Sequence, residues 1–400
     1  MTVASSESVN DVVLPRGLRA AGTYAGIKKP GRGLDLGVLI ADEPVEAAAI
    51  YTQNRLVGAH IPVCREHLAA SHGRLRAIIV NSGCANCATG EAGIRAAKET
   101  ATLVANAIGC RPSEVLPLST GAIGAHLPMD KIRAAIGGLV AAARADGVGD
   151  FARAIMTTDT TRKLFTATFD AVGGEATVVG TAKGAGMIHP NMATMLGFLM
   201  TDCELSTPAA ELLRRVADRS FHRVTIDGDT SPNDTAILLS TGKLRPIDPE
   251  LCEGGLIDVA ARLARTIARD GEGATRLVTV QIVGAKDASE ALRAARTIAT
   301  SPLVKTAIAG RDPNWGRILS AAGRADVALD VARARVWVGE TMVYEDGRPF
   351  PEREGEASRH LREDESVTIG VDLASGEDSV EVWTCDFTAD YVRINADYRT

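Results

Sequence analysis

The chain has 400 residues, 46% hydrophobic and 24% charged, with a formal net charge of −6. That balance suits a globular protein of two or three domain-sized units. Scattered positive charge gives no reason to expect nucleic acid, and no apolar run reaches the ~18 residues of a membrane span. The N-terminus MTVASSESVNDVVLPRG lacks the basic start and apolar run of a secretory signal. Seven cysteines (Cys64, Cys84, Cys87, Cys110, Cys203, Cys252 and Cys385) are an odd number in a long chain. A reduced, cytoplasmic protein is therefore expected.

Strand and helix patterns alternate along the chain. LRAIIVNSG (75–83) reads as a buried strand ending in turn residues. Ile94, Ala97, Ala101, Val104 and Ile108 follow at helical spacing, with Gly109 as the stop. VLPLSTGAIG (115–124) reads as a strand that breaks at Thr120-Gly121, and Ile132, Ile136, Leu139 and Ala143 mark a second helix. The stretch 164–188 reads as a hairpin about a Gly-Gly turn, and LGFLMTDCEL (196–205) as another strand. Thr207 and Pro208 have the chemistry of N-cap and first helical residue. TAILLSTG (235–242) is a strand, the repeat Leu256, Val259, Leu263, Ile267 a helix stopped by Gly271, RLVTVQIVG (276–284) a strand and 287–300 a helix. Beyond about residue 325 short strands dominate, as in a smaller C-terminal α+β unit. No fixed-period repeat appears, and the pattern favours a layered α/β sandwich over a bundle.

Several segments invite a chemical reading and lose it. Cys84 and Cys87 have CxxC spacing, but no second ligand pair accompanies them, so buried or incidental thiols are expected rather than zinc or redox work. GAGMIHP lacks the third glycine and the helix of a dinucleotide loop, and no GxxxxGK[ST] is present. His189 is a lone loop histidine and reads as structural. GDTSPNDT (228–235) lacks the spacing of a calcium loop and reads as a turn near a site.

KGAGMIHPNMATML (183–196) is different. A threonine hydroxyl becomes a useful nucleophile when a base takes its proton, and a free α-amine, with a pKa of ~7.7–8.0, can do so at neutral pH. Thr194 gains such an amine if the Ala193–Thr194 bond is cut, and the glycines upstream let the backbone bend toward that attack. Spacing alone leaves the ordinary alternative, a threonine capping a turn at the start of a strand.

The segment resembles the self-cleavage motif of the ornithine acetyltransferase (glutamate N-acetyltransferase, or bifunctional ArgJ) family. LPLSTGAIG, IMTTDT, GDTSPNDT, DGEGATR, GRDPNWGR and YVRINADYRT resemble family segments in family order, from about GIKKPGRGLDL to Thr400. The resemblance implies an α/β (α+β) layered sandwich of the self-cleaving ArgJ/DmpA-like type. It has a main αββα-type domain over about 1–280 and a smaller C-terminal α+β domain over about 281–400. It also implies self-cleavage into chains 1–193 and 194–400, which stay together and assemble as an α2β2 heterotetramer. Thr194 is then the nucleophile, Thr120 and Gly121 the oxyanion donors, and Thr157, Lys183, Thr194, Glu272, Asn395 and Thr400 the substrate contacts, the tail returning to the site. Lys183 suits a substrate carboxylate and Glu272 an ammonium. The implied reaction moves acetyl from N2-acetyl-L-ornithine to L-glutamate through an acetyl-threonine ester, in arginine biosynthesis, with no metal and no organic cofactor. Some members also take acetyl from acetyl-CoA. The alternative within the same self-cleaving fold is an amidase or aminopeptidase, whose acyl-enzyme goes to water. The cysteine pair in NSGCANCATG is a departure with no place in that chemistry.

Overall fold

The structure is a computed structural model and describes residues 4–6, 12–189 and 195–397. Ala193, Thr194 and Thr400 lie outside the described residues. The first unit runs β1 (Ala4–Ser6), β2 (Leu18–Thr23), β3 (Leu36–Tyr51), α1 (His60–Ala70), β4 (Arg74–Cys84), α2 (Gly90–Ile108), β5 (Val115–Ala122), α3 (Met129–Ala141), α4 (Val148–Ile155), β6 (Lys163–Val172), β7 (Gly174–Lys183), β8 (Leu196–Cys203), α5 (Ala209–Asp218), β9 (Thr235–Pro246) and α6 (Pro249–Arg269). Its strands form one sheet in the order β1-β6-β7-β8-β9-β3-β4-β5, with β2 paired to β3. The β4–β5 and β8–β9 pairs are parallel.

Two-residue alternation sorts the apolar side chains into layers. In β4, Ile78 and Val80 join Phe198 and Met200 of β8 and Ile237 and Leu239 of β9 in one core. Ala77 and Ile79, which alternate with them in sequence, face the other way onto Ala101 and Val104 of α2 and Ile132 and Ile136 of α3. Leu199 of β8 likewise turns out onto Leu213 of α5 and Leu256, Val259 and Leu263 of α6. The sheet thus curls about one core with helices packed on its outer faces, the layered α/β sandwich expected from the pattern. A one-residue slip of β8 would move Phe198 and Met200 to the helix side, which fixes its register. That register positions Leu196 at the start of β8.

The second unit runs β10 (Leu277–Ala285), α7 (Ala288–Ala299), α8 (Pro302–Ala309), α9 (Trp315–Gly323), β11 (Arg335–Val338), β12 (Thr341–Glu345), β13 (Arg348–Pro349), α10 (Glu354–Glu363), β14 (Ser366–Asp372), β15 (Asp378–Cys385) and α11 (Ala389–Asp397). Its sheet has the order β13-β12-β11-β14-β10-β15. Ala291, Ala294 and Ile298 of α7 and Ile318 of α9 pack on Val280, Ile282 and Val382. Trp383 and Cys385 of β15 instead join the core that α6 covers, and the Thr225 amide donates to the Trp383 carbonyl at 3.0 Å. This contact seats the second unit on the first and aims α11 back at it.

Some boundaries differ from the sequence expectation, each for a local reason. Gly109 does close α2 in the left-handed conformation. Pro208, not Thr207, is the N-cap of α5, because the Glu46 carboxylate of β3 accepts from the Ala209 amide at 3.0 Å and does the capping. The second hairpin strand stops at Lys183 rather than running to 188. Helix α6 stops at Arg269 and is capped by Asp270, one residue before Gly271. β5 does not break at Thr120-Gly121 but continues to Ala122, with its register shifting opposite Cys84.

Candidate active site

Segments that are far apart in sequence line one cavity. It is lined by Thr120 and Gly121 at the end of β5, Thr157 after α4, Lys183 at the end of β7, Glu272 after α6 and Asn395 on α11. The loop 228–235 adds Asp229, Ser231, Pro232 and Asn233, and Ala85 comes from the loop after β4. Of the residues singled out in the sequence, these six are brought together. Cys84 and Cys87 are buried free thiols outside the cavity lining, and burial pushes both thiols up from their ordinary range. Among the described residues no cluster of His, Cys, Asp and Glu is arranged to hold a metal ion. His189 pairs with the Thr225 hydroxyl at 3.2 Å, away from the lining.

Thr120 is 3% exposed and Gly121 follows it at φ 131°, a conformation that favours glycine. A Cβ at 121 would lie 2.4 Å from the Gly83 carbonyl carbon, so β4 and β5 touch there backbone to backbone. The Ala85 amide donates to the Ala122 carbonyl at 2.9 Å and holds the two strand ends together. A side chain at 121 would pry this corner open.

Lys183 is 3% exposed, and its ammonium donates to the Thr157 hydroxyl at 3.2 Å. Burial lowers its pKa; the charges of Asp159, Asp234 and Glu272 work the other way without cancelling the effect. Thr157 is in turn fixed from behind. Its amide donates to Asp159 at 3.0 Å, and the Gly184 amide, next to Lys183, donates to the same carboxylate at 2.6 Å. Lys163 is fully buried between Asp159 at 2.7 Å and Asp270 at 2.5 Å. Asp270 also accepts from the Thr160 amide at 3.1 Å and from the Thr160 hydroxyl. Two carboxylates and one ammonium thus tie the end of α6, the start of β6 and the loop carrying Thr157 into one unit. None of the three was picked out from the sequence. On the outer side, Lys28 donates to the Met156 carbonyl at 2.7 Å, and burial lowers its pKa to about 8.

Burial opposes the charge on Asp159, but Lys163 and Lys183 overcome it and hold its pKa down at about 2, against an ordinary 3.8. A depressed carboxylate stabilises the fold above its unfolded pKa and loses that contribution as pH falls through the folded one. Asp159→Asn is therefore expected to lower the urea midpoint at pH 6, with the gap from wild type closing as pH falls from about 4 toward 2. A gap that stays constant over that range would contradict the ion pair.

The far wall is acidic. Glu272 accepts from the Asn395 amide group at 2.9 Å, and its own amide donates to the Ala185 carbonyl at 2.8 Å. Asp227 accepts from the Met187 amide at 2.6 Å and the Ile188 amide at 2.9 Å, and Tyr391 of α11 reaches it at 3.4 Å. Burial raises the Asp227 pKa. The loop 184–189 is thus held from Asp227 on one side and Glu272 on the other. Asp234 lies deeper, 1% exposed, and burial raises its pKa well above the usual carboxylate range, the nearby Lys183 charge offsetting only part of this. The cavity therefore presents a buried amine, several carboxylates and the Thr120-Gly121 backbone on one lining.

Residues 19–400 match the ArgJ family. The arginine biosynthesis bifunctional protein ArgJ of Thermus thermophilus is 47% identical over 97% of this chain and all of its own length. The protein of the same name from Dehalococcoides mccartyi is 44% identical over 97% of both chains. A crystal structure of the ArgJ protein of Bacillus halodurans is 38% identical over 48% of this chain and 98% of its own, with a TM-score of 0.45. The motifs read in sequence and the relatives across the whole length agree, and the chain belongs to the ArgJ family of bifunctional arginine-biosynthesis proteins.

Proposed function

We propose that the chain moves acetyl from N2-acetyl-L-ornithine to L-glutamate, with Thr194 as the nucleophile. It first cuts its own Ala193–Thr194 bond, which gives Thr194 a free α-amine. In the first half-reaction the Thr194 hydroxyl attacks the acetyl carbonyl and its proton passes to that amine. The C–N bond then breaks, the proton goes to the departing amine, and ornithine leaves an acetyl ester behind. In the second half the glutamate amine attacks the ester, loses its proton to the α-amine, and the C–O bond breaks as the threonine oxygen takes that proton back. Each half passes through an oxyanion, for which Thr120 and Gly121 are the donors. Lys183, with Thr157, takes the substrate carboxylate; Glu272, with Asn395, takes the ornithine side-chain ammonium; Thr400 completes the substrate contacts.

The convergence of Thr120, Gly121, Thr157, Lys183, Glu272 and Asn395 on one cavity, which carries both a buried amine and a carboxylate, supports this reading most. The sheet supports continued association of the two fragments, since β8 and β9 lie between β7 and β3 in one ladder. We place the α2β2 assembly in the cytoplasm; no described helix is long and apolar enough to cross a membrane. With acetyl-labelled N2-acetylornithine the label is expected in N-acetylglutamate, with parallel double-reciprocal lines. Label released as free acetate at the same rate with and without glutamate would make the protein a hydrolase instead. Glu272→Gln is expected to raise KM for N2-acetylornithine about tenfold and to change kcat less than about threefold, as loss of a charged hydrogen bond to bound substrate does. Equal KM values in the two proteins would remove Glu272 from ammonium recognition.

A further inference from the structure

Asn233 is 4% exposed, and its side-chain amide donates to two backbone carbonyls, Ala85 at 2.7 Å and Ser119 at 2.8 Å. The two acceptors fix the orientation of the amide, because the opposite flip would set its oxygen against both carbonyls. Ala85 lies in the loop that holds the end of β5, and Ser119 directly precedes Thr120. Asn233 itself stands just before β9. The first β9 residue, Thr235, donates its amide to the Met195 carbonyl at 3.0 Å and pairs with Leu196 of β8. One side chain therefore links the β8–β9 pair, which starts at Leu196 and Thr235, to the strand that carries Thr120 and Gly121 near its end.

The surroundings are built for that link. Ser119 is held from its other side, its hydroxyl donating to Asn81 at 2.7 Å while Asn81 donates to the Cys84 carbonyl at 2.8 Å. Gly58 donates its amide to the Pro232 carbonyl at 2.9 Å, and a Cβ there would lie 2.5 Å from the Asn233 side-chain oxygen. Among the described residues that oxygen has no hydrogen-bond partner, so the side chain is held by the two bonds its amide group donates.

We propose that Asn233 is a positioning residue for acetyl transfer, setting the distance between the start of the β8–β9 pair and the oxyanion donors Thr120 and Gly121. The inference rests on the oxyanion role given to Thr120 above. Sites of this kind lose function steeply when the donors shift by about half an ångström, so two hydrogen bonds that lock the two strands act directly on the rate.

A double-mutant cycle tests it, with turnover normalised to the self-cleaved fraction measured by intact mass and folding checked by thermal melting. Asn233→Ala is expected to lower kcat about 10- to 100-fold, with KM for N2-acetylornithine within about threefold of wild type. In a Thr120→Ala background the same change is expected to cost less than about threefold more, because the donor it positions is already gone. Effects that simply multiply, or a loss confined to KM, would overturn the proposal. If Thr120→Ala alone leaves kcat unchanged, the oxyanion assignment falls first and the positioning role with it. Gly58→Ala crowds the Asn233 side chain and keeps its amide; it is expected to reproduce the kcat loss, and it carries the cycle if Asn233→Ala fails to fold.

Discussion

Thr194→Ala is expected to yield one uncut chain without measurable acetyl transfer, a loss on the order of 10⁴-fold or more. Both effects have one origin. The hydroxyl that attacks the Ala193 carbonyl in self-cleavage is the one that later attacks the acetyl group, and cleavage is also what exposes the α-amine. Thr194→Ser keeps a hydroxyl and is expected to retain cleavage and some turnover. Intact mass under denaturing conditions reads the first effect, and acetyl transfer to glutamate the second. A Thr194→Ala protein that still splits after residue 193 would contradict the mechanism.

Lys163→Met is expected to be the most destabilising single change in the interior of the first unit, by about 3–5 kcal/mol. The ammonium is fully buried and contacts Asp159 and Asp270, both nearly inaccessible as well. Removing it leaves two carboxylates facing each other out of water. The Asp159 carboxylate also holds the Thr157 and Gly184 amides, so protein that still folds is expected to bind substrate poorly. Neutralising the partners in the triple variant Lys163→Met, Asp159→Asn, Asp270→Asn is expected to recover most of the stability, since the penalty comes from unpaired charge. Urea unfolding measures both; a triple variant less stable than the single would show that packing, not charge, is what Lys163 supplies.

What could be read from the sequence, and what could not, follows from the range of each interaction. The apolar run from Ala77 to Val80, closed by turn residues, made β4 legible as a buried strand, but an unbroken run has no alternation, so which side chains face which layer had to come from the structure. Leu256, Val259, Leu263 and Ile267 marked α6 by their helical spacing. Thr120, Thr157, Lys183, Glu272 and Asn395 were singled out through ordered motifs that resemble a family, since no local pattern distinguishes them from surface residues. Lys163 and Asp270 are 107 residues apart, and nothing near either one announces the other. The same holds for Asn233, whose partners are Ala85, in the loop after β4, and Ser119, on β5. The cap of α5 was misplaced because its capping oxygen comes from Glu46, a residue on β3.

The most direct measurement is the intact mass of the denatured wild-type protein, taken before and after mixing with N2-acetylornithine in the absence of glutamate. The mechanism predicts two fragments meeting at Ala193/Thr194, with the 194–400 fragment alone gaining the mass of one acetyl group and losing it when glutamate is added. A single uncut chain, or a 194–400 fragment that never gains acetyl while transfer proceeds, would contradict it.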